Sequence, residues 1–564
     1  MRLQCLALII VALTASVSSQ QTSQVPGTFR STVQLVPVDV RVFDRNGSPV
    51  LDLRESDFTL LEDGVPQQIR HFSSYTLTAD KSVEPGAKKM RRDAVATELA
   101  PQRRRTFLIV LGRGRLQGPS KGIDAALQFL RTRVLPQDEV SVMAYNRATD
   151  FSTEHDAIAR VIERFRDAHH DIEARLDHRF SGLAGIYGTK LIPDKVQTQI
   201  DTIFRDTGVA FRTVPTGRVT DSGRIADDTR RGIQTRLNTD VTQGNTRPIN
   251  PIDSSQTFDF SFEEYVSYNS ESMTDLENIY TGIEYLRYLE GEKHLVFITE
   301  RGLFLPRVED DNSIAAMAND ARVVLDTIQV GGVPGDGPTF TDTFAIGTLR
   351  TMAELTGGHA SAYNYADKAF DHVDRGTRFQ YLLGYSSTNS VWDGRYRRIT
   401  VKVNRPNTTV SNRGGYYARL QLVPYNRKEF LTYSRIAAAA FYPDQIRDIK
   451  LKLKASIERG EGAEGDAAIE LTIDISRLAL KPVDGNQEAE LSVTVFGADR
   501  GGNSTGEYWK RIKITIPPDL HKQALREGWF YALRVPMKNN TQRIKIVAYD
   551  YDADVIGTAE AKFY

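Results

Sequence analysis

The sequence predicts a multidomain protein in which a doubly wound α/β domain is flanked by all-β modules and followed by a C-terminal β-sandwich. Three observations carry this reading. The chain has 564 residues, too many for one core when domains run to roughly 100–200 residues. Between Thr106 and Gly358, apolar runs alternate with segments of helical periodicity, the order that builds a parallel sheet covered on both faces. On either side of that stretch, short alternating runs separated by turn residues mark antiparallel strands.

At the N-terminus, Arg2 precedes an apolar run from Leu6 to Leu13, and Val17 and Ser19 supply small residues before Gln20. This is the layout of a signal peptide over residues 1–19, and it predicts an exported protein of the periplasm, cell surface or medium. The run is shorter than the roughly 20 residues a spanning helix needs, and no later segment is long and apolar enough, so no transmembrane helix is expected in the mature chain. The single cysteine, Cys5, leaves with the signal. Disulfides, cysteine nucleophiles and thiolate metal sites are thereby excluded from the mature form. With 72 Lys+Arg against 72 Asp+Glu there is no global field to draw nucleic acid or an anionic membrane.

An N-terminal β module is expected over 30–77, where VQLVPVDVRVF alternates, Asn46-Gly47 turns, and DFTLLEDG runs into VPQQIRHF. Residues 78–105, with Pro, Gly and clustered Lys/Arg, read as a solvated basic linker. The α/β domain is placed at 106–375. FLIVL is a strand buried on both faces; Ile123, Leu127, Leu130 and Val134 mark a helix; EVSVMAY is a strand, and a helix follows from Glu154 to Arg166. The polar stretch 167–270 reads as an insertion lying partly outside the core. The rhythm resumes with a helix carrying Leu276, Ile279, Ile283 and Leu286, the strand HLVFIT, a helix around 312–322, the strand RVVLDTIQV, and a helix stopped at Gly357-Gly358. Residues 376–425 return to alternating strands that complete the N-terminal module, and regularly spaced strands over 430–564 predict the sandwich.

The ordered motifs VDVRVFDRNGSPV, DFTLLEDGVPQQIRHF, AELTGGHA, FQYLLGYSSTNSVWDGRYRRITVKVNRP and GGYYA resemble those of the acidobacterial VWFA-related family over residues 30–420. The resemblance implies that the central domain is similar to a von Willebrand factor A domain. Metal-binding members hold a divalent ion through an Asp-x-Ser-x-Ser loop after the first strand, with a Thr and an Asp from later loops; a hard cation wants several such oxygens. In this sequence Gly112, Gly114 and Leu116 stand at the Asp, Ser and Ser positions, Glu300 at the later Asp position, and Thr274 at the loop threonine. The site is therefore expected to be degenerate, with no metal bound. Arg113 and Arg115 bring positive charge into the loop; one reading pairs Arg113 or Arg115 with Glu300 in a salt bridge, the other leaves both in solvent.

Other chemistry finds little support in the residues. His155, His169, His170 and His178 lie near several aspartates, but their spacing fits no standard zinc set, and solvated histidines are the expectation. Asp550, Asp552 and Asp554 alternate in YDYDADVIG as Ca²⁺ ligands would, or as a polar turn, which is preferred. No phosphate loop occurs, no serine is paired with a histidine and a carboxylate in a recognisable context, and Tyr381, Tyr385, Tyr416 and Tyr417 read as sheet packing. The expectation is a non-enzymatic protein without cofactor, acting in protein binding or adhesion through loops 112–119, 146–153, 274–278 and 299–306. The alternative is a structural component of the cell envelope in which the β modules carry the interactions.

Overall fold

A computed structural model describes residues 34–80, 99, 103–113, 116, 121–179, 192–213, 262–300, 302–303, 310–331, 340–362, 368–419, 432, 435–436, 438–440, 442–460, 462–501 and 504–563. The expected signal peptide, Gly114, Arg115, most of the basic linker and residues 214–261 of the expected insertion lie outside them.

The first strands are β1 (Val36–Phe43), β2 (Phe58–Glu62), β3 (Val65–Gln67) and β4 (Ile69–Thr76). They do not make a module alone. Strands from beyond the α/β domain, β12 (Phe379–Tyr385), β13 (Tyr396–Val403), β14 (Thr409–Asn412) and β15 (Gly415–Tyr417), intercalate with them, giving sheets of order β14-β1-β12-β4 and β15-β13-β2-β3. β12 pairs antiparallel with both β1 and β4, so the sandwich closes only after the whole α/β domain has been threaded between its halves. Its core stacks Val38, Val40, Leu60, Tyr381, Leu383 and Ile399. The tyrosines divide their chemistry: Tyr381 Oη donates to Val50 O at 2.8 Å, while Tyr385 and Tyr416 donate to buried Glu62 at 2.5 and 2.9 Å.

The central sheet contains β5 (Arg105–Leu111), β6 (Glu139–Ala144), β7 (Arg147–Thr149), β8 (Phe211–Thr213), β9 (Glu292–Thr299), β10 (Val323–Gln329) and β11 (Ala360–Ser361), in the order β11-β10-β9-β5-β6-β7-β8. β11, β10, β9, β5 and β6 run parallel; β7 pairs antiparallel with β6, and β8 antiparallel with β7. The helices are α1 (Lys121–Thr132), α2 (His155–Arg179), α3 (Asp194–Phe204), α4 (Phe262–Arg287), α5 (Asp310–Ala321), α6 (Phe340–Thr356) and α7 (Ala369–Arg378). Alternate residues of β5 point to opposite layers: Phe107, Ile109 and Leu111 pack under α1, α2 and α3, whereas Leu108 and Val110 pack under α4 and its neighbours. This is why the strand reads as an unbroken apolar run. The stop of α6 is a close approach: Gly357 has φ +78°, and a Cβ on Gly358 would lie 2.0 Å from Leu325 O.

Two sequence expectations change. Within the expected insertion, residues 167–179 and 192–213 contribute to the core. α2 continues to Arg179, and Ile172, Leu176, Ile192, Val196, Ile200 and Phe204 belong to the core. Arg105, assigned to the solvated linker, is a fully buried residue at the start of β5. Its guanidinium meets Asp138 at 2.5 Å and Asp374 at 2.9 Å, because the strand begins two residues before the apolar run.

The sandwich docks on the amino ends of β9 and β10 through a buried ion network. Arg41 of β1 reaches Glu292 at 2.6 Å, Gln380 of β12 donates to Glu292 at 2.6 Å, and His294 lies between Glu292 at 2.9 Å and Asp326 at 2.8 Å. Burial opposes charge on His294, but its hydrogen bonds to Asp326 and Glu292 outweigh that, and its pKa stands above the usual histidine value. Burial likewise works against both carboxylates, yet Arg41 at Glu292 and His294 at Asp326 hold them below their usual range.

The C-terminal strands are β16 (Leu451–Arg459), β17 (Glu464–Ile473), β18 (Lys481–Val483), β19 (Asn486–Ala498), β20 (Ser504–Ile516), β21 (Trp529–Lys538), β22 (Arg543–Asp550) and β23 (Val555–Lys562), with one short helix, α8 (His521–Glu527). Sheet β16-β17-β21 faces the sheet built on β19, across a core of Ile469, Leu471, Leu491, Val493, Ile514 and Ile546. Arg435 links this unit to the α/β domain, lying 3.4 Å from Asp554 and 4.0 Å from Glu277 of α4.

Candidate functional site

β5 and β9 are neighbours, and the helices that follow them leave toward opposite layers. The crevice outside the carboxyl ends of two such strands is where open α/β sheets receive ligands. Gly112 stands at its floor. Its N–H donates to Ile298 O at 2.8 Å, and a Cβ built on it would lie 2.9 Å from both Asp275 Oδ2 and Ile298 O. An aspartate has no room at this position, because the carboxylate of Asp275, carried in by α4, already occupies the space. Asp275 accepts from the Arg113 backbone N–H at 3.0 and 3.3 Å.

The Arg113 side chain turns the other way. Its guanidinium grips Glu173 of α2 through two contacts, Nη2 to Oε2 at 2.9 Å and Nε to Oε1 at 3.3 Å, with side-chain exposures of only 2% and 9%. A forked guanidinium–carboxylate pair of this kind is directional as well as attractive. The expected bridge from Arg113 to Glu300, and the alternative of a solvated Arg113, are both replaced. The cause is the extra length of α2, which places Glu173 under the loop. Leu116, expected at a ligand position, is fully buried in the layer of α1 and α2. Thr274 is not in a loop: it lies inside α4, buried with Asp275, Glu277 and Asn278. Glu300 is half-buried at the end of β9, its backbone carbonyl accepting from Gln329 Nε2 at 2.5 Å, while the Thr299 hydroxyl accepts from Gly302 N–H at 3.2 Å.

Beside this pair, Tyr145 closes the β6–β7 turn at φ +53°, a conformation that costs a bulky residue and is kept only where surroundings hold it. Its hydroxyl lies 2.6 Å from His169 Nδ1, and both residues are buried. His169 was expected in solvent. It lies instead on the inward face of α2, one turn before Glu173. His155 meets Asp138 O at 2.8 Å near the start of the same helix, roughly 21 Å along the axis from His169 at 1.5 Å per residue, and His170 is exposed. The side chain of His178 lies outside the described residues. Among the described residues, the histidines do not converge.

A divalent ion does not fit the residues described here. Gly112 and Leu116 offer no side-chain oxygen, and Asp275 is engaged by the backbone of Arg113. Among the described residues no group of three His, Cys, Asp or Glu is placed to hold a metal. The other acidic candidate is a turn. Asp550 accepts from the N–H groups of Ala479, Asp552 and Ala553 at 2.8–3.0 Å, Asp552 meets Lys481 at 2.8 Å, and Asp554 accepts from Tyr549 Oη at 3.0 Å. Burial raises the pKa of Asp550 against those three donors.

Sequence reasoning missed Glu173, Asp275, Tyr145 and His169. Two signals were available: Asp275 adjoins Thr274, and Ile162, Phe165, His169, Ile172 and Leu176 continue one helical stripe that accepts a histidine as an inward residue. No protein-family model and no curated protein matches the chain.

Proposed function

We propose that the central unit is a von Willebrand A-like domain with a degenerate ion site, and that the protein is exported and non-enzymatic, binding a protein partner without a metal. The observation that carries this reading is how the polar groups at the carboxyl edge of β5 and β9 are used. Asp275 takes the Arg113 amide, Arg113 takes Glu173, and His169 meets Tyr145. These groups fix the shape of the edge rather than present a nucleophile, an acid–base pair or open coordination positions to a substrate. The strand order, with the β6–β7 hairpin at one side of a parallel centre, supports the same reading.

The contact face is narrower than the sequence implied. Residues 274–278 are interior to α4, and Arg147–Thr149 are buried in β7. In the segment 146–153, surface falls to Asp150–Thr153. The experiment is capture of partners from envelope and medium fractions with the purified chain, in EDTA and in Mg²⁺. Capture that persists in EDTA and weakens when residues 150–153 are replaced by Gly-Ser-Gly-Ser supports the proposal; capture abolished by EDTA overturns it.

A second reading, as a rigid component of the envelope, is favoured by the network joining Arg41, Glu292, His294 and Asp326, which fastens the sandwich to the α/β domain. It requires that replacing 150–153 leave capture unchanged.

A further inference from the structure

Away from that edge, a cavity of ≈ 410 Å³ opens between α6, β11 and the start of α7. Its size lies within the roughly 300–1,000 Å³ of small-molecule sites. Its wall is apolar where Ile346, Leu349, Ala360 and Ala362 contribute, and among the described residues its charged and titratable members are all basic: Arg350, Lys368, His359 and His372. Neither Arg350 nor Lys368 has an acidic partner among the described residues. Asp371, next to His372, is held by Arg133 at 2.9 Å. His359 and His372 stack with ring centres 4.4 Å apart and planes 19° from parallel, and the His359 amide is fixed to Asp326 Oδ1 at 2.9 Å. Two imidazoles held face to face beside two cations, with no carboxylate among the described residues of the lining, form an arrangement that a bound anion would stabilise.

We propose that this cavity binds a small organic carboxylate, its apolar body against Ile346 and Leu349 and its head among Arg350, Lys368, His359 and His372. The apolar wall disfavours a bare inorganic ion, and the basic side chains among the described lining residues disfavour a cation. Binding is linked to protonation. Both histidines stand below their usual pKa, chiefly through burial, with His359 and Arg375 adding to the effect at His372. The groups facing them are Asp326 from β10, Arg350 from α6, and Lys368, Asp371 and Arg375 at α7; of these only the two aspartates favour the charged imidazole. A carboxylate head joins the aspartates, so it is accompanied by proton uptake and binds more tightly as pH falls.

The test is calorimetric titration of the full chain with octanoate, octyl phosphate and octylammonium at pH 6 and pH 8. Saturable octanoate binding is expected, tighter at pH 6, absent for octylammonium, and weakened at least about tenfold, ~1.4 kcal/mol, in the Arg350→Glu/Lys368→Glu double variant. Both substituted positions are exposed, and an unchanged circular dichroism spectrum checks the fold. No saturable octanoate binding, equal affinity in the double variant, or binding of octylammonium would overturn the proposal. Tighter binding of octyl phosphate than of octanoate would overturn the choice of head group.

Discussion

Arg113 and Glu173 show how a buried ion pair fixes a loop. Taking both charges out of water is costly, so the pair contributes little net stability, but removing one member exposes the full penalty of the other. Glu173→Ala is expected to cost about 3–5 kcal/mol, read as a fall in the urea midpoint, whereas Arg113→Met/Glu173→Leu should stay within roughly 2 kcal/mol of the parent. Equal losses in the two variants would refute this account. Gly112 makes the companion case. Restoring an acid there, Gly112→Asp, drives the new side chain into Asp275 and Ile298 O, so a loss of at least about 2 kcal/mol is expected. Titration of the variant with Mg²⁺ should give no heat of binding; a regained site would show that the crowding can be relieved.

α3 decides how far the core extends. Val196, Ile200, Ile203 and Phe204 face inward at helical spacing and pack beside α2. Ile200→Ala therefore should cost about 2–5 kcal/mol, the range for a fully buried aliphatic, measured by urea unfolding; a cost below about 0.5 kcal/mol would mean that α3 lies on the surface. The sequence made the stretch read as an insertion partly outside the core for a physical reason. Within 167–213 the inward positions include His169 and Glu173, polar residues that pair inside the fold, and a hydrophobicity pattern cannot distinguish a paired buried charge from a solvated one. β5 is the opposite case: every residue of FLIVL is apolar, so its burial on both faces was legible directly.

At the scale of the whole molecule, the junction between sandwich and α/β domain should titrate. His294 has a folded-state pKa above its ordinary 6.5, so its contribution is fully present below about pH 6.5 and is lost as pH rises through the raised value. Glu292 and Asp326 are depressed below 4.5 and 3.8, so their contributions are present above those values and are lost as pH falls through the depressed ones. Stability should therefore be greatest between about pH 4.5 and 6.5. His294→Gln should flatten the alkaline limb of the urea-midpoint profile while keeping the acid limb. An alkaline limb of unchanged slope would place the titration elsewhere.

The sequence by itself determined the kinds and order of the elements: alternating β and helical patterns within the central domain, antiparallel strands on either side, and Gly357-Gly358 as a helix stop. These follow from local periodicity and backbone freedom, which neighbouring residues carry. It also determined that Gly112 and Leu116 supply no side-chain oxygen to an ion. Tertiary structure alone decided which charges meet. Arg113 finds Glu173 sixty positions away and Arg41 finds Glu292 across 251, and those pairings depend on strand order and helix length, which no local pattern encodes.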